Sequence, residues 1–359
     1  MRQLASTLLL IALGTPAAIV HGHAAPSPPQ ERTAILFSRI GDFPLGAGTN
    51  RIDYQGLDVA NHRLYIAKMG AGELIAFDVQ KNRMLAELPG FPKVTGVLVV
   101  PELHKLYASV PGAGLVSSLR VALGMAGLSS GDGAVVVLDT DNLHVIARLP
   151  GGVFPDGIAY DQKEQKAFVS DELGDAVSVI DARANRFVAR IGLDGQVGNV
   201  RYDPITGKVY VLVQSRNELA VIDPTADQVV TRYPLPGGDH PHGLMLAPGT
   251  AVAYVACDGN DRLLTVDLAT GKILDRKPLG HDPDVMAIDP SAKRLYIAAE
   301  SGNLSTFNIA VPTAPAALGT VFVGEDAHSI AVDPVSHRLY FPLSDVGGRA
   351  VLRVLDPKP

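Results

Sequence analysis

The chain has 359 residues, 47% of them hydrophobic and 19% charged, with a formal net charge of −6 and one cysteine. That balance excludes a disordered chain, which lacks apolar material for a core, and an intramolecular disulfide framework, which needs at least two thiols. Net negative charge also argues against generic attraction to phosphate backbones, so nucleic acid is a disfavoured partner.

The first residues read as an export signal. Arg2 supplies positive charge, Leu8 to Leu13 an apolar run, and Gly22-His23-Ala24 a small-residue exit. Residues 1–24 are therefore expected to be a signal peptide, and the Pro-rich residues 25–33 a flexible segment, which places the mature chain in a periplasm or outside the cell. The apolar run is too short to span a bilayer, and no later stretch reaches eighteen uninterrupted apolar residues, so a membrane-embedded protein is not expected.

Ile35-Leu-Phe-Ser-Arg39-Ile40-Gly41 reads as a strand, and beyond it one pattern is repeated seven times. First strands read Gly56-Leu-Asp-Val-Ala, Gly96-Val-Leu-Val-Val, Gly157-Ile-Ala-Tyr-Asp, Asn199-Val-Arg-Tyr-Asp, Gly243-Leu-Met-Leu-Ala, Val285-Met-Ala-Ile-Asp and Ser329-Ile-Ala-Val-Asp. Second strands carry an aromatic residue, as in Leu64-Tyr-Ile-Ala and Ala167-Phe-Val-Ser, and β-branched and aromatic residues suit a half-buried pleated surface. Turns such as Asp203-Pro204 and Asp289-Pro290 join the two, with Asp bonding to backbone and Pro presetting φ. Third strands end in phrases such as Val179-Ile-Asp181, and fourth strands carry an arginine at Arg148, Arg190, Arg232 and Arg276.

The period of about 40 to 44 residues matches one four-stranded propeller blade. One longer gap holds an insertion at 111–133, whose apolar residues suggest a lid over the channel or a partner-docking element. The seventh copy stops after its third strand, at Val351-Leu-Arg-Val-Leu-Asp356, while the strand at Ile35–Gly41 has the fourth-strand signature with its arginine. An open ring would expose two bare sheet edges, so the N-terminal strand is expected to complete the last blade. The predicted fold is all-β: a seven-bladed β-propeller of four-stranded blades filling 34–357 as a single domain. Phrases such as Leu64-Tyr-Ile-Ala and Ala176-Val-Ser-Val-Ile-Asp resemble the YVTN-repeat propellers, the group that includes YncE-like exported proteins. That resemblance implies a binding or scaffolding protein. Some members have been linked to single-stranded DNA, and related seven-bladed propellers include lactone hydrolases and lyases, but no motif here transfers a catalytic residue.

In a propeller the loops leading into the first strands open on one face around the central channel, where ligands gather. The residue before each first strand gives a ring of Gln55, Thr95, Asp156, Gly198, His242, Asp284 and His328. His242, Asp284 and His328 come from consecutive blades, and two imidazoles with a carboxylate match the ligand set of Fe(II), Zn or Mn sites, so a divalent metal ion is one expected cofactor. The bland alternative is a solvated polar mouth without ligand. His240, His281, Asp282 and Asp326 lie close in sequence and offer proton carriers or supporting partners. The loops after the second strands add Lys68, Asp171, Glu172, Gln214, Asp258 and Glu300, of which Asp171 and Asp258 are the binding candidates; together these make an electronegative mouth suited to cations or basic groups. Cys257 ends a second strand and reads as a small buried residue rather than a nucleophile.

Two functions of different class fit this pattern. The first is an exported binding or scaffold propeller, engaging a protein, peptide or small-molecule ligand through this upper face. The second is a metal-dependent hydrolase or lyase, with His242, Asp284 and His328 as ligands and Asp156 or His240 moving protons. Single-stranded DNA binding rests on the resemblance alone, and the absence of tryptophan with only 6% aromatic residues leaves few stacking platforms for it.

Overall fold

The computed structural model describes residues 36–112 and 131–358. The expected signal (1–24), the segment 25–33 and most of the 111–133 insertion lie outside the described residues. Seven four-stranded antiparallel sheets form the molecule, six of them from consecutive strands: Gln55–Asp58 to Arg83–Pro89, Val97–Val100 to Val145–Gly152, Pro155–Asp161 to Arg186–Gly192, Val197–Asp203 to Gln228–Pro234, Pro241–Leu246 to Ile273–Pro278, and Pro283–Asp289 to Ala316–Phe322. These are blades one to six. The seventh takes Ala331–Val332, Leu339–Leu343 and Arg349–Pro357 from the C-terminal end and its outer strand, Phe37–Ala47, from the N-terminal end. No helix among the described residues is long and apolar enough to cross a membrane.

Second and third strands are buried on both faces, because each blade is covered by a neighbour on either side; they therefore read as continuous apolar runs. Fourth strands lie at the rim and alternate between exposed and partly covered positions. The core is divided into seven apolar clusters, each straddling the boundary between two blades. The second-strand aromatic always belongs to the cluster shared with the next blade: Tyr65 packs in the cluster with Leu106 and Ala108 of blade two, and Tyr340 with Leu64 and Ile66 of blade one. Packing between sheets therefore carries the ring around its full circle.

The recurring aspartates act in the turns. Asp161 Oδ1 accepts from the N–H groups of Lys163 and Glu164, and Asp181 Oδ1 from those of Arg183 and Ala184, with the same geometry at Asp78, Asp139 and Asp267. Such bonds satisfy turn donors that the sheet leaves free.

Closure is antiparallel and runs from Phe37 opposite Pro357 to Ala47 opposite Arg349. The closing strand thus extends six residues past the Gly41 expected from sequence. Phe37 and Leu45 are buried in two different inter-blade clusters, with the Phe37 ring 6.4 Å from that of Tyr296. Arg353 on the adjacent strand grips Asp42 with two bonds, Nε to Oδ1 at 2.9 Å and Nη2 to Oδ2 at 2.7 Å. Phe37→Ala is expected to cost about 3–5 kcal/mol, as for other large-to-small changes at fully buried aromatics. Ile40→Ala, at a position 41% exposed, is expected to stay within about 0.5 kcal/mol of the parent. Urea unfolding of the two variants checks this, and equal effects would mean that the strand does not dock by its buried face.

Candidate functional site

The channel mouth is built by a repeated irregularity. In blades three to six the ladder between first and second strands slips, as between Pro155 and Ile158 or Pro283 and Met286, and the residue after the slip's first partner turns toward the channel. These residues, and their counterparts in blades two and seven, stand twelve positions before the second-strand aromatic: Thr95 before Tyr107, Asp156 before Phe168, Gly198 before Tyr210, His242 before Tyr254, Asp284 before Tyr296 and His328 before Tyr340. The same count in blade one gives Asp53 before Tyr65, not Gln55. Asp53 donates its N–H to Ala67 O at 2.8 Å, one step above the pairing of Gln55 with Ile66. Gln55 lines the lower chamber instead and donates Nε2 to Tyr340 O at 3.1 Å. The expected ring is thus corrected at one place, where a carboxylate replaces an amide.

Above the ring lies a cavity of about 410 Å³. Seven carboxylates line it, from Asp53, Asp156, Glu172, Asp258, Asp282, Asp284 and Glu300, against one arginine, Arg51, and two histidines, His240 and His242. The excess of acid gives this cup a negative field that low-dielectric walls concentrate. Its floor is Tyr54, whose hydroxyl accepts from Asn199 Nδ2 at 2.7 Å; the two come from blades one and four, on opposite sides of the channel. Tyr54 lines the cavity above and the chamber below.

Charges within the cup shift one another. Burial alone would strip the proton from His242, but Asp284, with Oδ1 3.2 Å from Nε2, and the fields of Glu172 and Asp156 push its pKa up to about 10. Burial raises the Asp284 carboxyl, and His242, His328 and Arg51 more than reverse that, leaving it below the ordinary carboxylate range. His328 is fully enclosed behind the wall; burial opposes its charge, while Asp326, Asp284, Asp53 and Glu300 lift it to about 9. Asp53 goes the other way: burial outweighs His328 and Arg51 and raises it to about 6. Asp156 is raised well above the usual range by burial and by neighbouring Asp53 and Glu172. His240, hydrogen-bonded to Asp258 Oδ1 at 2.7 Å, is raised despite partial burial.

The metal set expected from sequence does not converge as written. Asp284 lies beside both histidines, yet the group whose ligand atoms all fall within 4.8 Å of one another is Asp284, Glu300 and His328. His328 Nδ1 faces Asp326 O at 3.1 Å and Glu300 Oε2 at 3.3 Å, and its Nε2 has no hydrogen-bond partner among the described residues. Glu300 Oε1 is taken by Arg51 Nη2 at 2.8 Å.

Other candidates scatter. Asp258 and Asp282 line the cup, whereas Asp171 does not: it is fully buried, its Oδ1 accepts from the N–H groups of Val153 and Phe154, and Oδ2 meets Arg190 Nη2 at 2.8 Å. Gly152, at φ +104°, and Gly174 make room for that carboxylate, since a Cβ at either would run into it. Lys68 is buried between Glu73 and Glu87, at 2.9 and 2.7 Å, away from the cup. His281 is exposed and pairs with Asp261, and Asp326 supports His328. Cys257 sits in the apolar cluster between blades four and five, where burial pushes its thiol up to about 12.

No family model and no curated protein matches this chain. Among solved structures it is similar to Kuenenia stuttgartiensis hydrazine synthase, with a TM-score of 0.69 at 16% identity over 86% of this chain and 96% of that one. It is also similar to the WD40 repeats of RRP9 (TM-score 0.69, 9% identity, 89% of this chain and 100% of that one) and to U3-55K (TM-score 0.69, 9% identity, 90% and 99%). At these identities the likeness shows the fold alone.

A thiol held neutral inside an apolar cluster should not react. In native protein at pH 8, Cys257 is expected to leave a thiol-specific chromogenic disulfide unreduced, and to release one equivalent once the chain is unfolded in guanidinium. Rapid release from the folded protein would contradict this burial.

Proposed function

We propose that this chain is an exported binding propeller, similar to the YVTN-repeat group, whose upper cup receives the cationic group of a small-molecule or peptide ligand. The single observation behind this reading is the cup itself: seven carboxylates against three basic side chains, around a space closed below by Tyr54 and Asn199. The repeat phrases support the family likeness, and the N-terminal apolar run supports export to a periplasm or beyond. A negative cup also repels phosphate backbones, which weighs against single-stranded DNA at this face.

Protons and cations compete here. Asp53, raised to about 6, and Asp156, also raised by burial and by its acidic neighbours, take up protons more readily than ordinary carboxylates in the free protein, and an incoming cation favours the ionised form. Binding should therefore release protons and tighten as pH rises through 6. By calorimetry, 1,4-diaminobutane is expected to bind more tightly at pH 8 than at pH 5, with 1,4-butanediol giving no heat at either. Glu172→Gln should weaken the diamine by about tenfold, the loss of one charge-assisted contact. A pH-independent affinity, or binding by the diol, would remove the reading.

A divalent ion is the second reading, favoured by the mutual reach of Asp284, Glu300 and His328 and by the unpartnered Nε2 of His328. It carries the alternative of a metal-dependent hydrolase or lyase. Against it stand the proton that His328 retains up to about 9 and the hold of Arg51 on Glu300. Elemental analysis of protein purified without an affinity tag separates the two: sub-stoichiometric metal is expected, and stoichiometric metal lost in Glu300→Ala would replace the first reading with the second.

A further inference from the structure

Below the Tyr54–Asn199 contact the channel widens into a second chamber of about 550 Å³, formed by the first strands of all seven blades and opening on the opposite face. Nine positions before each second-strand aromatic stands a residue that lines this chamber. Six of the seven are small or apolar: Gly56, Leu98, Ala159, Met245, Ala287 and Ala331. The seventh, in blade four, is Arg201. A chamber with mostly apolar walls and one half-buried cation is an unusual environment, because drawing a charge even partly out of water without a counter-ion is costly.

The bland role for an interior arginine is to tie the strands of a blade together through a carboxylate, and Arg201 does not do so. Arg353 binds Asp42 across the closing strands, and Arg190 binds Asp171. Arg201 donates from Nη1 to Val200 O at 2.8 Å, the carbonyl of its own chain neighbour, and forms no salt bridge among the described residues. Burial draws its pKa down, and Tyr54 and Asp156, above it in the channel, act in the opposite sense. A guanidinium presents five donors in a planar fork that fits a carboxylate with two parallel bonds.

We infer that the lower chamber is a separate binding site for a small amphipathic carboxylate, with its apolar chain along the channel wall and its carboxylate on Arg201. One cation answers one negative charge, and no second cationic side chain is among the residues that line the chamber. The volume lies in the usual range for small-molecule pockets, and the Tyr54–Asn199 contact sets its depth. This site is distinct from the acidic cup in chemistry and in face.

Calorimetry with the folded chain, using octanoate as probe and octan-1-ol as its uncharged counterpart, tests the assignment. Octanoate is expected to bind one per chain at least about tenfold more tightly than the alcohol, the difference one charge-assisted pair supplies. Arg201→Met should remove that preference, leaving the alcohol unchanged and the thermal midpoint equal to or above the parent's, whereas Arg201→Lys should retain part of it. Ala287→Leu narrows the chamber without touching the charge and should weaken both probes. Failure of octanoate to bind the parent, an unaltered preference in folded Arg201→Met, or unaltered binding in Ala287→Leu overturns the inference.

Discussion

Contact between neighbouring sheets is the constraint on which everything else in this molecule depends. No blade contains a core of its own: each of the seven apolar clusters is shared, and each second-strand aromatic is spent on the following blade. A sheet with two apolar faces is stable only between two others, and a row of such sheets is complete only as a circle. The first strands then have no freedom of placement. They stand around a common axis, and in blades three, five and six the slip in the ladder aims Asp156, His242 and Asp284 at the mouth.

Much of this is legible in the sequence, because the repeat records the packing. Apolar runs mark the doubly covered strands, turn aspartates mark the hairpins, and the strand missing from the seventh copy points to residues 35–41, which overlap the observed closing strand Phe37–Ala47. The register of blade one misleads for a physical reason. Glycine or another small residue opens most of the first strands, and Gly56 imitates that signal, while Tyr54 occupies the equivalent position in fact. Counting back from Tyr65, or from the turn aspartate Asp58, restores the register and exposes Asp53. Tyr54 itself is hidden by composition, since the second-strand tyrosines that recur through the repeat lie between sheets.

Asp171 and Asp258 show what a single sequence withholds. Both close a second strand or come directly after it, yet one is enclosed by two glycines and an arginine while the other faces the cup beside His240. The difference lies in long-range partners, which no local pattern encodes. Glu300 is the converse case: an acidic loop residue of ordinary appearance that the fold places against Arg51 and His328. The channel as a whole is divided by a single side-chain contact into an acidic space and an apolar one, so two blades on opposite sides of the ring set the boundary between two chemistries.

Joining the first strand to the last has a consequence for biosynthesis. The pair Asp42 and Arg353 is 311 positions apart, so the first of the described strands finds its neighbour only when the last of them has been made. Until then the growing protein is an arc with two raw ends, and bringing them together carries a length-dependent entropic penalty of about 5 kcal/mol. Closure of the ring therefore rests on non-local contacts, which slow folding, and until it is made the two open edges are templates for strand exchange between molecules.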